Sequence, residues 1–144
     1  MAYSAVGFIN RLYNKLVFSD DSNLDVDVYD MGTEQCTCSF ENRGVSRLEA
    51  ATGTVVSLQV FIKVSLSVSM RKTSPKIGFY RDRILQNGFV GGTVTLYDDA
   101  NNSYVAYNPS ITIDDLGALN GTEPAITFIV ECDLPVNETA LAGF

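Results

Sequence analysis

From Val56 to Met70 every second residue is apolar: Val56, Leu58, Val60, Ile62, Val64, Leu66, Val68 and Met70. The residues between them, Ser57, Gln59, Phe61, Lys63, Ser65, Ser67 and Ser69, are mostly small and polar. Strand side chains alternate between two faces, so a period of two held this long predicts a β-strand. At about 3.3 Å per residue the run would span roughly 50 Å, whereas a domain of this size has a radius of gyration of about 14–15 Å. No Gly or Pro interrupts the run to make a sharp bend easy. The expectation is a ribbon, or a long hairpin arm, that projects beyond its own domain. Unpaired edges on such a projection invite pairing with another chain. The eight apolar residues are therefore the candidate self-association strand, and Ser65, Ser67 and Ser69 its wet face.

Shorter patterns surround this run. Ser74, then Pro75, then Gly88 bracket a predicted helix over 75–87, with Ser as N-cap and Pro in the first turn. Its apolar stripe is Ile77, Tyr80, Ile84 and Leu85, and Lys76, Arg81 and Arg83 are expected to face out. Thr93–Tyr97 and Ser103–Tyr107 alternate around an Asp/Asn cluster and predict a hairpin. Ile111–Ile113 and Ala125–Glu131 read as further strands. Upstream, Leu24–Tyr29 alternates, with Asp25 and Asp27 on the polar side as candidates for an acidic surface. Residues 5–18 satisfy either a helical or a strand period, since Val6, Ile9, Leu12 and Leu16 also recur at 3.6. The expected fold is mainly β (α+β), an antiparallel β-sandwich or barrel with one short flanking helix and a long strand or hairpin arm. One domain spans 1–144, with an N-terminal arm over 1–20 and a C-terminal tail over 134–144.

Composition narrows the chemistry. The 144 residues carry a net charge of -7 and no His. That argues against a basic nucleic-acid groove and against Ser-His, Cys-His and His-metal catalysis. Charge is segregated along the chain. Asp20–Glu34 holds six acids and no base, Glu41–Arg83 eight bases against three acids, and Ile84–Phe144 eight acids and no base. Opposite-sign surfaces on one small domain suit self-association. Cys36, Cys38 and Cys132 are odd in number, and without a second pair or a His they make no zinc tetrahedron. They are expected in the core, and a reducing cytoplasm suits them. The Asp21-x-Asn23-x-Asp25-x-Asp27 spacing fails as an EF-hand, because Val26 stands where that loop needs Gly. The acid pairs Asp98/Asp99 and Asp114/Asp115 fit turns better than acid–base catalysis. No cofactor, no metal, no membrane span and no enzymatic role are expected.

The long alternating strand, the helix begun by Ser74-Pro75, and the string Gly91-Gly-Thr-Val-Thr-Leu-Tyr-Asp98 with its returning strand resemble the tail tube proteins of contractile-tailed bacteriophages. The likeness covers about Thr52–Asp133 and rests on element order and texture. It implies a virion structural protein whose hexameric rings stack into a hollow tail tube with an inter-subunit β-barrel. It also implies sheath, tape-measure and baseplate or neck proteins as partners, and assembly in the host cytoplasm. DNA would slide through a polar, negatively charged lumen without specific binding. Lys63 departs from this picture, because it lies on the serine face that would line the lumen. A capsid decoration or tail-completion protein on a similar sandwich, and a monomeric β-sandwich ligand-binding module, are the alternatives. A monomeric module has no use for so long an alternation.

Overall fold

A computed structural model describes residues 7–139. Among these residues eight strands occur: β1 Lys15–Phe18, β2 Met31–Phe40, β3 Val45–Ala50, β4 Gly53–Leu58, β5 Phe61–Arg71, β6 Thr93–Tyr97, β7 Ser103–Asp115 and β8 Ala125–Pro135. The α-helix α1 covers Lys76–Gln86, and short 3₁₀ turns cover Arg11–Tyr13 and Ser22–Leu24. Six strands form an antiparallel sheet in the order β1-β6-β7-β8-β5-β2, and β3 and β4 form a separate two-stranded hairpin. The class is the expected one, mainly β with one flanking helix and a hairpin arm.

The sheet curls on itself. Asn14, just ahead of β1, donates its side-chain amide to the Cys36 carbonyl in β2 at 3.3 Å, so the two edge strands approach each other. Inside the curl lie Leu16, Phe18, Val94, Ala106, Ile111, Phe128, Val130, Val64, Leu66, Val68 and Met70, all buried. Period-two alternation put these residues on one face of their strands, and the curl turns that face inward. The helix contributes its buried Tyr80 to the same core. The Tyr80 ring meets Phe18 edge-on at 6.5 Å between centroids and Phe128 at 5.1 Å. The helix begins at Lys76 with Pro75 in the N-cap position, and Ser74 precedes it by one residue. Its hydroxyl accepts from the Lys76 N–H at 3.2 Å and donates to Asp30 at 2.8 Å.

Several expectations are corrected. The ribbon over 56–70 is two strands, β4 and β5, broken at Gln59-Val60. Val64, Leu66, Val68 and Met70 are buried in the chain's own core, so their side chains are closed to a neighbour, and Ile62 packs half-buried against them. Leu24–Tyr29 is no strand. It is a 3₁₀ turn, a single bridge from Val26 to Leu16 and a further turn. Alternation there reflects Leu24 and Val26 reaching into the core while the acids bond to local backbone. Within the stretch expected as an N-terminal arm, Lys15–Phe18 is strand and Arg11–Tyr13 a 3₁₀ turn; Val6 lies outside the described residues. At the other end, Leu134 and Pro135 belong to β8 rather than to a tail, and residues 140–144 lie outside the described part. On the helix Leu85 is exposed. Arg83 is half-buried and reaches back toward the Val90 carbonyl at 3.5 Å.

Candidate functional site

The β2–β5 pairing does not end at Phe40 and Val64. Past a short interruption the same two chain segments pair again as β3 and β4, so residues 31–71 are one long hairpin in two sections. The break has a local cause. Asn42 inserts its side chain where a ladder bond would lie, accepting from the Lys63 N–H at 2.7 Å and donating to the Phe61 carbonyl at 3.2 Å and to the Gln59 side chain. Asn137 clamps the same point from β8's end, donating to the Gly44 carbonyl at 3.1 Å and the Gln59 carbonyl at 2.6 Å. Gly44 sits at φ +74, and a Cβ there would come within 3.2 Å of Ile62 and Val136. The clamp requires glycine at this position. In the sequence, Glu41-Asn-Arg-Gly44 was the available signal for the break, a turn-forming cluster opposite the apolar run.

Beyond the clamp the hairpin projects as an arm of six residue pairs, roughly 20 Å long. Every residue from Val45 to Phe61 is exposed. One face of the arm carries Val45, Arg47, Glu49, Thr54, Val56 and Leu58; the other carries Leu48, Val55, Ser46 and Ser57. Val55, Val56, Leu58 and Val60 stay 50–56% exposed. An isolated two-stranded hairpin is marginal in water, and this one buries neither face. Of the eight expected self-association residues, Val56, Leu58 and Val60 thus remain available.

The serine row is the outer, uncovered face of the curled sheet. Ser65 stands between Ser39 and Glu131, Ser67 between Thr37 and Ile129, and Ser69 beside Thr127. Ser65 and Ser67 are half-buried by their neighbours, and Ser69 is buried. Lys63 shares this face, directly opposite Asp133, and lines a shallow depression with Glu41 and Glu131. Acidic residues of its own chain thus line the same depression. Asp25 and Asp27 do not join the serines. Asp25 accepts from the Phe18 N–H at 2.7 Å, beside β1, four strands from β5, and Asp27 accepts from the Tyr29 N–H at 3.0 Å. Asp25 thus ties its loop back to β1, and Asp27 serves its own turn.

A third surface was not foreseen. At the arm end of the sheet the mouth of the curl stays open as an apolar trough of about 200 Å³, lined by Cys38, Phe40, Val64, Leu96, Tyr104, Ala106 and Leu134, with Asp98 at its rim. Its residues come from five strands spread over the sequence, so no local pattern marks it. Hydrogen bonds from the Asn102 backbone, then from the Ala100 backbone and the Asn102 side chain, hold the Asp98 carboxyl below the usual carboxylate range. Asp98 and Asp115 serve their turns, Asp115 accepting from the Gly117 N–H at 2.7 Å. Among the cysteines, Cys132 is buried, Cys36 packs half-buried against the core, and Cys38 is exposed at the trough rather than in the core. No cluster of metal-binding side chains occurs among the described residues, and no helix among them is long and apolar enough to cross a membrane.

In comparisons with known proteins, no family model and no curated protein matches this chain.

Proposed function

We propose that the chain is a virion structural protein, the tail tube subunit of a bacteriophage, assembling as stacked hexameric rings. The observation that carries this reading is the arm: a hairpin with both faces apolar in part, both bare, standing off a core that is already complete. A monomer gains nothing from such an element, whereas a second copy gives it a surface to cover. The uncovered Ser65/Ser67 face, flanked by Glu131 and Asp133, supports the reading as a lumen wall, because carboxylates and hydroxyls offer phosphates no cationic anchor. Lys63 is a base on that face, and Asp133, Glu41 and Glu131 share its depression. In this reading the partners are further copies of the chain, with sheath, tape-measure and baseplate or neck proteins, in the virion tail.

The trough is the feature that favours a monomeric ligand-binding module. Its volume of about 200 Å³ falls below the 300–1,000 Å³ of usual small-molecule sites, and that module leaves the arm unexplained. Negative-stain microscopy of the purified protein at high concentration tests the proposal. Rings or tubes are expected. Monomers at every salt and concentration would remove it.

A further inference from the structure

Among the described residues, two strands present backbone groups without a partner beside uncovered apolar side chains, and the two are complementary. The first is the β2 edge. Glu41 donates to the Lys63 carbonyl at 3.0 Å and stands opposite it in register. In an antiparallel ladder bonded and non-bonded pairs alternate, so Thr37 and Ser39 bond inward to β5, while Cys36, Cys38 and Phe40 turn their N–H and C=O groups outward. The Cys36 carbonyl is taken by Asn14. Cys38 and Phe40 are exposed on this open edge, and their side chains line the trough.

The second is β4. Gln59 donates to the Gly44 carbonyl at 2.8 Å, which by the same alternation turns the backbone groups of Thr54, Val56 and Leu58 away from β3. The outward groups of β4 thus belong to its exposed apolar residues, as the outward groups of β2 belong to Cys38 and Phe40.

We propose that β4 of one copy adds antiparallel to the β2 edge of a second copy, with Leu58 opposite Cys38 and Val56 opposite Phe40. In an antiparallel pair directly opposed residues share a face. Leu58 and Val56 therefore extend over the open end of the trough, and Arg47, opposite Val56 on the arm, comes to the side where Asp98 stands. The match between the two edges, both carried by every copy, argues for a second copy as the occupant. Arg47 shares its face with Glu49, so the arm is no net cation, and the one charge contact the register offers is Arg47 toward Asp98 at the trough. The two surfaces differ, so the contact is head-to-tail: it closes a ring or runs on as a fibre, and it leaves each copy with one arm given and one edge filled. This contact rests on the self-assembly reading and specifies it.

Leu58→Cys tests the register directly. Bonded antiparallel pairs hold their Cα atoms about 5.5 Å apart, within disulfide reach, and the native Cys38 supplies the second sulfur. Mild oxidation of concentrated Leu58→Cys protein should give a ladder of cross-linked species above dimer on a non-reducing gel. The ladder should vanish in Leu58→Cys/Cys38→Ser. Leu58 is exposed on the arm, so folding is undisturbed, and a thermal melt matched to the parent checks that. Rings or tubes by microscopy without cross-linking, or cross-linking that survives loss of Cys38, overturns this contact and leaves the tube reading standing. A cross-linked ladder without rings or tubes keeps the contact and sinks the tube.

Discussion

The Tyr80 hydroxyl donates a 2.7 Å hydrogen bond to the Leu24 carbonyl, across 56 residues of sequence and with both residues fully buried. This bond ties the helix to the 3₁₀ turn that closes the curled sheet. Burial first, then Cys36 and the Asp25 and Asp30 carboxyls, pushes the phenol well above its ordinary range, so it remains a donor at any ordinary pH. Tyr80→Phe keeps the ring against Phe18 and Phe128 and leaves a buried carbonyl without its donor. The expected loss is about 1–3 kcal/mol. At about 3–4 °C per kcal/mol for a chain of this length, a melting curve resolves it. An unchanged melting temperature would mean that water replaces the hydroxyl.

The cysteines give a pH dependence. Burial chiefly pushes Cys36 and Cys132 up to about 12 from the ordinary 9.0, with smaller contributions from Cys38 in both cases. The folded state therefore holds these protons where the unfolded state releases them. The stability they contribute is complete below pH 9 and falls as pH rises from 9 toward 12. Denaturant titrations at pH 8 and pH 10.5 should show the loss, and Cys132→Ala should reduce it. Alkylation should follow exposure, with Cys38 labelled first and Cys132 only on unfolding. Labelling of Cys132 at the rate of Cys38 would contradict its burial.

Much of this fold is legible in the sequence because much of it is periodic. The Thr93–Tyr107 hairpin, the strand over Ala125–Glu131 and the helix after Ser74 follow alternation and capping residues, and the structure keeps them all. Alternation shows which residues share a face but not which molecule covers that face. The apolar rows of β4 and β5 read as one ribbon, yet Val64 is buried in the core and Val56 stands in solvent. What separates them is the side chain of Asn42, reaching across from the paired segment, and the clamp of Asn137, 78 residues from Gln59. Neither contact leaves a mark on the local period. The same limit hid the trough, and it let the alternation of Leu24–Tyr29 pass for a strand when it came from a turn with two residues in the core.

The clamp itself can be tested apart from assembly. Asn137→Ala removes two donated bonds to Gly44 and Gln59, each contributing about 0.5–1.5 kcal/mol. Because the arm contributes no side chain to the core, the loss should be local: faster limited proteolysis within residues 45–58, with the global melt falling by only a few degrees. Gly44→Ala should cost more than the asparagine change, because it sets a Cβ against Ile62 and Val136 and strains a positive φ. Equal protease resistance in Asn137→Ala and the parent would show that the β2–β5 pairing alone holds the arm's base.

Two aspartate substitutions on the same apolar row separate folding from assembly. Val64 is 2% exposed and Val56 52% exposed. At position 64 the new carboxylate meets Cys132 across the strand pair and the apolar wall of the trough, where an unpaired charge costs several kcal/mol. Val64→Asp should fail to fold or melt far below the parent. At position 56 the carboxylate stays in water in the isolated chain, so the cost stays within about 1 kcal/mol, the span of strand propensities. Val56→Asp should fold, elute as a monomer and give neither rings nor tubes, because the same charge is buried once a second copy covers the arm. Circular dichroism melts with size-exclusion chromatography and microscopy on both variants check the pair. Normal assembly by Val56→Asp would show that the arm is not the surface through which copies meet, whatever else it does.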